Sequence, residues 1–375
     1  MTTAPPPAPS PAPISSLLTV IITTSPTPSA PSTELLTAVF ASFAAHAPAL
    51  LACPVIVVLD AYDRVAPRNR LKKGTVTPAL AAAYAAYRRN VKALVCAAYR
   101  APGAPLTATA DAEFGLAPTP PATHRVGLAL SATADARVVF VEPVARLGFG
   151  LAVRSALRLA DTPFVWVHQH DWALVADVPV AGLLDVMGRH PTPGPEEEGE
   201  GGDEAVVPVK YVCLASARMR AYAASAHATE APALRLATAR LRRDFVPAAG
   251  GRIPLTPFFA WHDKPHVASR AHYLARVFPS RLALGRGDFI EDTVGQRARE
   301  QMKAGCWGRW ACWLYYPDEG RTLCLRHLHG RTFRGAEEEA RRKGDWAVAG
   351  RAAAAAAAAA NALGGSGLRQ QQQRP

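Results

Sequence analysis

Residues 164–172 read FVWVHQHDW. Four apolar residues run without a break, the pattern of a strand buried on both faces. His168, Gln169, His170 and Asp171 then arrive together. Polar groups of this kind are costly inside a core and suit the open mouth at the end of a strand. The stretch before it, RLGFGLAVRSALRLADTP (146–163), places Phe149, Val153, Leu157 and Ala160 on one helical face and Arg154 and Arg158 on another. Pro163 fits a helix that has already stopped.

Upstream the same alternation repeats. LLTVIITT (17–24) and PVIVVLD (54–60) read as buried strands, and RVVFVEP (137–143) as another. Between the first two lies TELLTAVFASFAAHA, a helix capped by Ser32 or Thr33, with Leu36, Val39, Phe40 and Phe43 on one face. A further helix is expected around 78–90, then KALVCAAY (92–99) as a strand. Residues 101–125 are rich in Pro and Ala and read as a surface excursion. Apolar strands alternating with helices imply an α/β fold with a mostly parallel sheet covered on both faces. Ligands bind outside the carboxyl ends of such strands. Thr23, Thr24 and Ser25 lie at one such end, Asp60 at the next, and the HQHD run at a third.

The second half is less regular. PTPGPEEEGEGGDE (191–204) is an acidic, Gly-rich insertion within 189–205, and VVPVKYVCLAS (206–216) is a strand. The segment 217–250 reads as helical, and Trp261, His262, Asp263 and His266 precede another helix. DFIEDTVGQRAREQM puts Glu291 and Asp292 before a helix that Thr293 and Gln296 would enter through a capping box. CWLYYPDEGRTLCLRHLHGR reads as a hairpin turning at PDEG, with His327 and His329 on one face of its second strand. Trp307, Trp310 and Trp313 recur at helical spacing, more a core pattern than a binding one. There is no internal repeat. One catalytic domain over 16–335 is expected, with a nucleotide-binding half (16–175) and an acceptor-binding half (206–335). A Pro-rich tail (1–15) and a low-complexity, Ala-rich tail (350–375) flank it, both expected to be disordered.

The 375-residue chain has a net charge of +12, which favours anionic partners, although abundant Ala, Pro and Arg also point to a GC-rich coding bias. Its six cysteines include no C-x-x-C pair and read as reduced thiols. With neither a secretory signal nor an apolar run long enough to span a bilayer, a cytoplasmic protein without a transmembrane segment is expected.

At these residues the chain resembles a GT-A glycosyltransferase of the family-2 type, over roughly residues 17–330. VIITTSP resembles the nucleotide-binding opening of that Rossmann-like fold, and PVIVVLDAYD its second strand, whose acidic residue, here Asp60, contacts the base or ribose. The segment ending in HQHDW resembles the central signature, where an acidic motif holds a metal and the donor diphosphate. Here that motif has one carboxylate, Asp171, beside His168 and His170. FIEDTVGQR resembles the Glu-Asp segment carrying the catalytic base of inverting members, so Asp292, ahead of Glu291, is the expected base. His327, His329 and Arg331 resemble C-terminal elements that reach the diphosphate or metal. The resemblance implies a nucleotide-sugar donor, a glycan, glycoprotein or glycolipid acceptor, and Mn²⁺ or Mg²⁺. Trp261 and Trp307 are candidates for stacking on an acceptor sugar.

Other readings stay open on the residues alone. The histidines and Asp171 could be a hydrogen-bonded strand terminus, and the Glu-Asp pair a helix entry. Cys306, Cys312, Cys324, His327 and His329 could form a structural zinc site, although the spacing matches no common finger. A nucleotidyltransferase would more often bring a Gly-rich phosphate loop near the N-terminus, and TTSPTPSAPS is not one. A non-catalytic nucleotide- or nucleic-acid-binding α/β protein is the remaining class. No RNP-type or zinc-knuckle motif supports dedicated nucleic-acid binding.

Overall fold

A computed structural model describes residues 12–101, 105–116, 123–190, 207–280 and 282–341. The expected tails, apart from residues 12–15 of the first, and residues 191–205 of the acidic insertion lie outside the described residues. After a single helical turn, α1 (Ile14–Leu17), the chain forms β1 (Leu18–Thr24), α2 (Glu34–His46), β2 (Val55–Leu59), β3 (Arg64–Val65), β4 (Thr75–Val76) and α3 (Pro78–Ala98). Strands β5 (Leu106–Leu116), β6 (Thr123–Ala132) and β7 (Val138–Pro143) lead to α4 (Phe149–Leu159), β8 (Phe164–Gln169), β9 (Trp172–Leu174) and α5 (Val180–Arg189). Then come β10 (Tyr211–Leu214), α6 (Ala226–Thr229), α7 (Pro232–Leu241), β11 (Arg243–Phe245), β12 (Ile253–Pro257), β13 (His266–Ser269) and α8 (Arg270–Val277). Helices α9 (Val294–Lys303) and α10 (Trp307–Trp310) and strands β14 (Cys312–Tyr315) and β15 (Leu325–His327) complete it.

Eleven strands form one sheet, in the order β11-β12-β14-β10-β13-β8-β1-β2-β7-β6-β5. Its centre, β8-β1-β2-β7, is parallel, as the apolar runs imply. Val20, Ile21 and Ile22 of β1 and Val165, Trp166 and Val167 of β8 are fully buried. Each such aliphatic side chain contributes about 1.5–3 kcal/mol by leaving water. The sheet as a whole is mixed rather than mostly parallel. Six of its pairings are antiparallel: β13 enters against both β8 and β10, β12 joins β11 to β14, and the β5–β6 ribbon extends β7.

Several local expectations are corrected. KALVCAAY is the last part of α3, not a strand, because Tyr84, Tyr87, Val91 and Val95 continue one buried helical face through it. Residues 101–125 are not merely a surface excursion: LTATADAEFGL forms β5, which pairs with β6. Segment 217–250 contains only short helices and the strand β11. CWLY and LRH do not form a hairpin. β14 joins the main sheet between β12 and β10, while β15 pairs with β9 in a separate two-stranded ribbon. At α2 the cap comes from Ser32, whose Oγ accepts from Glu34 N, and Thr33 makes no side-chain cap.

The chain runs β1, β2, β7 outward in one direction, then returns to place β8 on the other side of β1. The order reverses between β1 and β8, so their carboxyl ends flank the crevice at a topological switch point. No helix among the described residues is long and apolar enough to cross a membrane.

Candidate functional site

A cavity of about 880 Å³ opens at that crevice. Thr23, Thr24 and Ser25 line it from the end of β1, Asp60 from the end of β2, and His170 and Asp171 from the end of β8. Asp263, Lys264, Glu291 and Asp292 line it from the second half of the chain, with His327, His329 and Arg331 from beyond β14. The strand ends that the sequence placed at one edge thus meet in one cavity.

Thr23 and Thr24 are buried, and the Thr24 hydroxyl is paired with the Tyr87 hydroxyl at 2.7 Å. Ser25 is half-buried. Asp60 accepts three backbone N–H groups, from Ala61 (2.9 Å), Leu147 (2.7 Å) and Gly148 (2.9 Å). The last two belong to the entry into α4, where the helix dipole favours an anion. Asp60 is itself that anion, so it ties β2 to α4. Burial pushes its carboxyl pKa up to about 6 even though the N–H groups favour the charged form.

His168 and His170 part company. His168 is fully buried beneath Phe43 of α2, at 4.8 Å between ring centroids. Its Nδ1 accepts from Trp166 Nε1 and its Nε2 donates to Trp172 O at 2.7 Å. Both ring nitrogens are committed, and burial pushes the pKa down to about 4, so the ring is a neutral core group rather than a metal ligand. His170 lies past the end of β8, where the alternation no longer holds, and lines the cavity with its Nδ1 directed at Thr23 O.

Asp171 is buried beside it. Its Oδ2 accepts from His327 Nε2 and from Gly330 N, each at 3.1 Å, while its Oδ1 has no partner among the described residues. Burial alone raises this carboxyl, but the His327 hydrogen bond and the His170 and His327 charges outweigh it, and the pKa stays below the usual carboxylate range. The β9–β15 ribbon explains the contact. It registers His327 against Trp172, one residue after Asp171. His329 then meets His327 at 3.1 Å between their Nδ1 atoms, although β15 has ended and His329 has positive φ.

The expected metal set does not fit this arrangement. His168 is unavailable, His327 already bonds the Asp171 carboxylate, and among the described residues no group of three or more His, Cys, Asp or Glu side chains is placed to hold a metal ion. The same observation removes the zinc alternative, and Cys312 and Cys324 are buried free thiols.

Glu291 accepts from His262 Nδ1 at 2.6 Å, and this bond leads the effects that lower its carboxyl pKa. Asp292 is exposed at the rim just before α9. Thr293 makes no capping bond. Its hydroxyl donates to Phe289 O, and Gln296 Nε2 donates to Glu291 O, so the expected capping box is absent. Trp261 is fully buried among Tyr211, Tyr273 and Trp310, and Trp307 is buried against Trp313. Neither presents a face to a sugar, which corrects the acceptor role expected of them.

Sequence reasoning gave no role to three groups here. Asp263 is buried at the cavity wall, and burial, then the Glu291 charge, raises its carboxyl pKa well above the ordinary value. Lys264 follows it and also lines the cavity. Lys72 approaches the Phe289 ring at 5.8 Å from its centroid, as does Arg331, already a candidate from the sequence, at 5.3 Å. The run RNRLKK around Lys72 was a visible signal; the placement of the other two depends on tertiary contacts.

No protein-family model matches the chain, and no curated protein matches it.

Proposed function

We propose that the protein is a nucleotide-sugar-dependent glycosyltransferase of GT-A type, moving a sugar to an acceptor hydroxyl with inversion. One observation carries this reading. A single cavity at the β1–β8 switch point brings the β1 and β2 ends together with Asp292, a rim carboxylate for which the described residues supply no ion-pair partner. Nucleotides bind at such switch points, and a carboxylate facing the same space is what proton removal from an acceptor hydroxyl needs.

The donor nucleoside lies against residues 23–25, with Asp60 holding the α4 entry in place beside it. Lys264, Arg218, His327, His329 and Arg331 line the cavity and meet the charge of the departing nucleoside diphosphate. Asp292 takes the proton as the hydroxyl attacks the anomeric carbon from the face opposite the leaving group. Glu291, already bonded to His262, positions that segment.

Donor binding and turnover are tested together. A matching nucleotide sugar raises the melting temperature by mass action, in a chelator as well as in Mn²⁺, because side chains meet the diphosphate charge. Loss of the shift in chelator would return a metal to Asp171. Asp292→Asn keeps the shape and removes the basicity. It retains the thermal shift and lowers turnover by roughly 10²–10⁴-fold, while Glu291→Gln costs less. If no nucleotide sugar shifts the melting curve, the reading fails. If Asp292→Asn turns over normally, the base is elsewhere.

A further inference from the structure

The segment between β2 and α3 forms a lip beside the cavity. Tyr62, Leu71, Lys72, Gly74 and Val76 face the cavity, and Arg64, Arg68, Arg70 and Lys73 are exposed along its outer side. From residue 61 to residue 77 the only carboxylate is Asp63. Asp63 is occupied by two arginines from outside the lip, Arg286 at 2.9 Å and Arg146 at 3.5 Å. The lip cations therefore have no carboxylate of their own to meet. Arg68, Arg70 and Lys73 make no ion pair among the described residues. On the inner side Lys72 stands near Phe289 together with Arg331, two like charges near one ring.

A run of cations with no carboxylate partner of its own gives the segment a positive potential that attracts an anion. Lys72 lines the cavity while its neighbours Arg70 and Lys73 are exposed and outside its lining, so the segment suits a chain that starts inside and extends outward. We propose that this lip recognises an anionic acceptor, a glycan whose residues carry carboxylate or sulfate groups. The reacting end would enter the cavity and the following acidic residues would lie over Arg68, Arg70 and Lys73. This rests on the transferase reading and names the substrate class for the same site. A membrane surface fits less well. Val65 is the lip's one large exposed apolar side chain, too little for an interfacial anchor, and a flat surface cannot follow the lip into a recess.

The test measures binding without turnover, by calorimetry on the full chain. The probes are an oligogalacturonate, a cello-oligosaccharide of equal length, random duplex DNA and phosphatidylserine vesicles. The oligogalacturonate is expected to bind at least about ten-fold more tightly than the neutral chain, and less tightly as salt rises. Arg68→Gln/Arg70→Gln/Lys73→Gln is expected to lose about ten-fold of that affinity with unchanged melting temperature and nucleotide-sugar shift. Equal binding of neutral and acidic chains overturns the proposal, as does an unaltered affinity in the triple variant. Equal or tighter capture by DNA or vesicles, lost in the same variant, overturns it in favour of a general polyanion or membrane surface. Loss of the nucleotide-sugar shift in the wild-type chain would instead count against the transferase reading itself.

Discussion

Asp263 is a carboxyl group enclosed by protein, with one oxygen accepting from Glu291 N at 3.3 Å and the other unpartnered among the described residues. Burial, then the Glu291 charge, raises its pKa, so the folded chain holds this proton more tightly than the unfolded chain. Stability is then lost as pH rises from the unfolded value, near 4, towards the folded one. Asparagine has no proton to lose. Asp263→Asn is expected to melt with the wild type at about pH 4 and roughly 2–4 °C above it at about pH 8. A variant that melts lower at the alkaline pH would show that the carboxylate is charged and held by a partner. The histidine pair teaches a related point. His168 and His170 look equivalent in HQHD, yet one is a core group and the other faces the cavity. Strand alternation predicts one side for both. The end of β8 at Gln169 breaks it, and the sequence carries no mark of where that end falls.

Helix α4 is placed by its entry. Gly148 has a φ of 79°, and a Cβ there would lie 2.4 Å from Gly287 Cα, while Gly287 N donates to Leu147 O at 2.7 Å. Two glycines let these backbones meet, and the contact joins the α4 entry to the segment that leads to Glu291 and Asp292. Gly148→Ala combines a left-handed backbone with a backbone clash, and is expected to cost roughly 2–4 kcal/mol in denaturant unfolding. A loss below about 1 kcal/mol would mean the loop yields freely. The strongly apolar elements were legible: β1, β2, β7, β8, α2 and α4 follow from apolar runs and helical spacing. KALVCAAY was not, because a short apolar run does not separate strand from helix. Neither was the partner of β15. PDEG signals a local turn, which occurs at Pro317–Gly320 with Asp318 and Glu319 at positive φ, but a turn does not say which sheet the next strand joins. Likewise no pattern within the four residues of β13 declares its antiparallel entry.

The two halves expected from the sequence share one sheet, and β13 is the join. His266–Ser269 pairs with β8 on one side, and β13 pairs with β10 on the other. Without it, the edge of β8 would present Phe164–Val167, an apolar run with unpaired backbone groups, to solvent. Residues 12–190 alone are therefore expected not to fold as a monomer. They should aggregate or bind a hydrophobic dye, without the cooperative melt seen by near-ultraviolet circular dichroism. The full chain should unfold in one transition, with far- and near-ultraviolet signals coinciding. A soluble, monomeric fragment with a sharp melt would make the halves independent domains. The site argues against that outcome. Asp171 comes from the first half, and its hydrogen-bond partner His327, like Asp263 and Asp292, comes from the second. A ligand in this cavity touches both sides of the β8–β13 join, so its binding energy adds to the stability of the whole sheet rather than of either half.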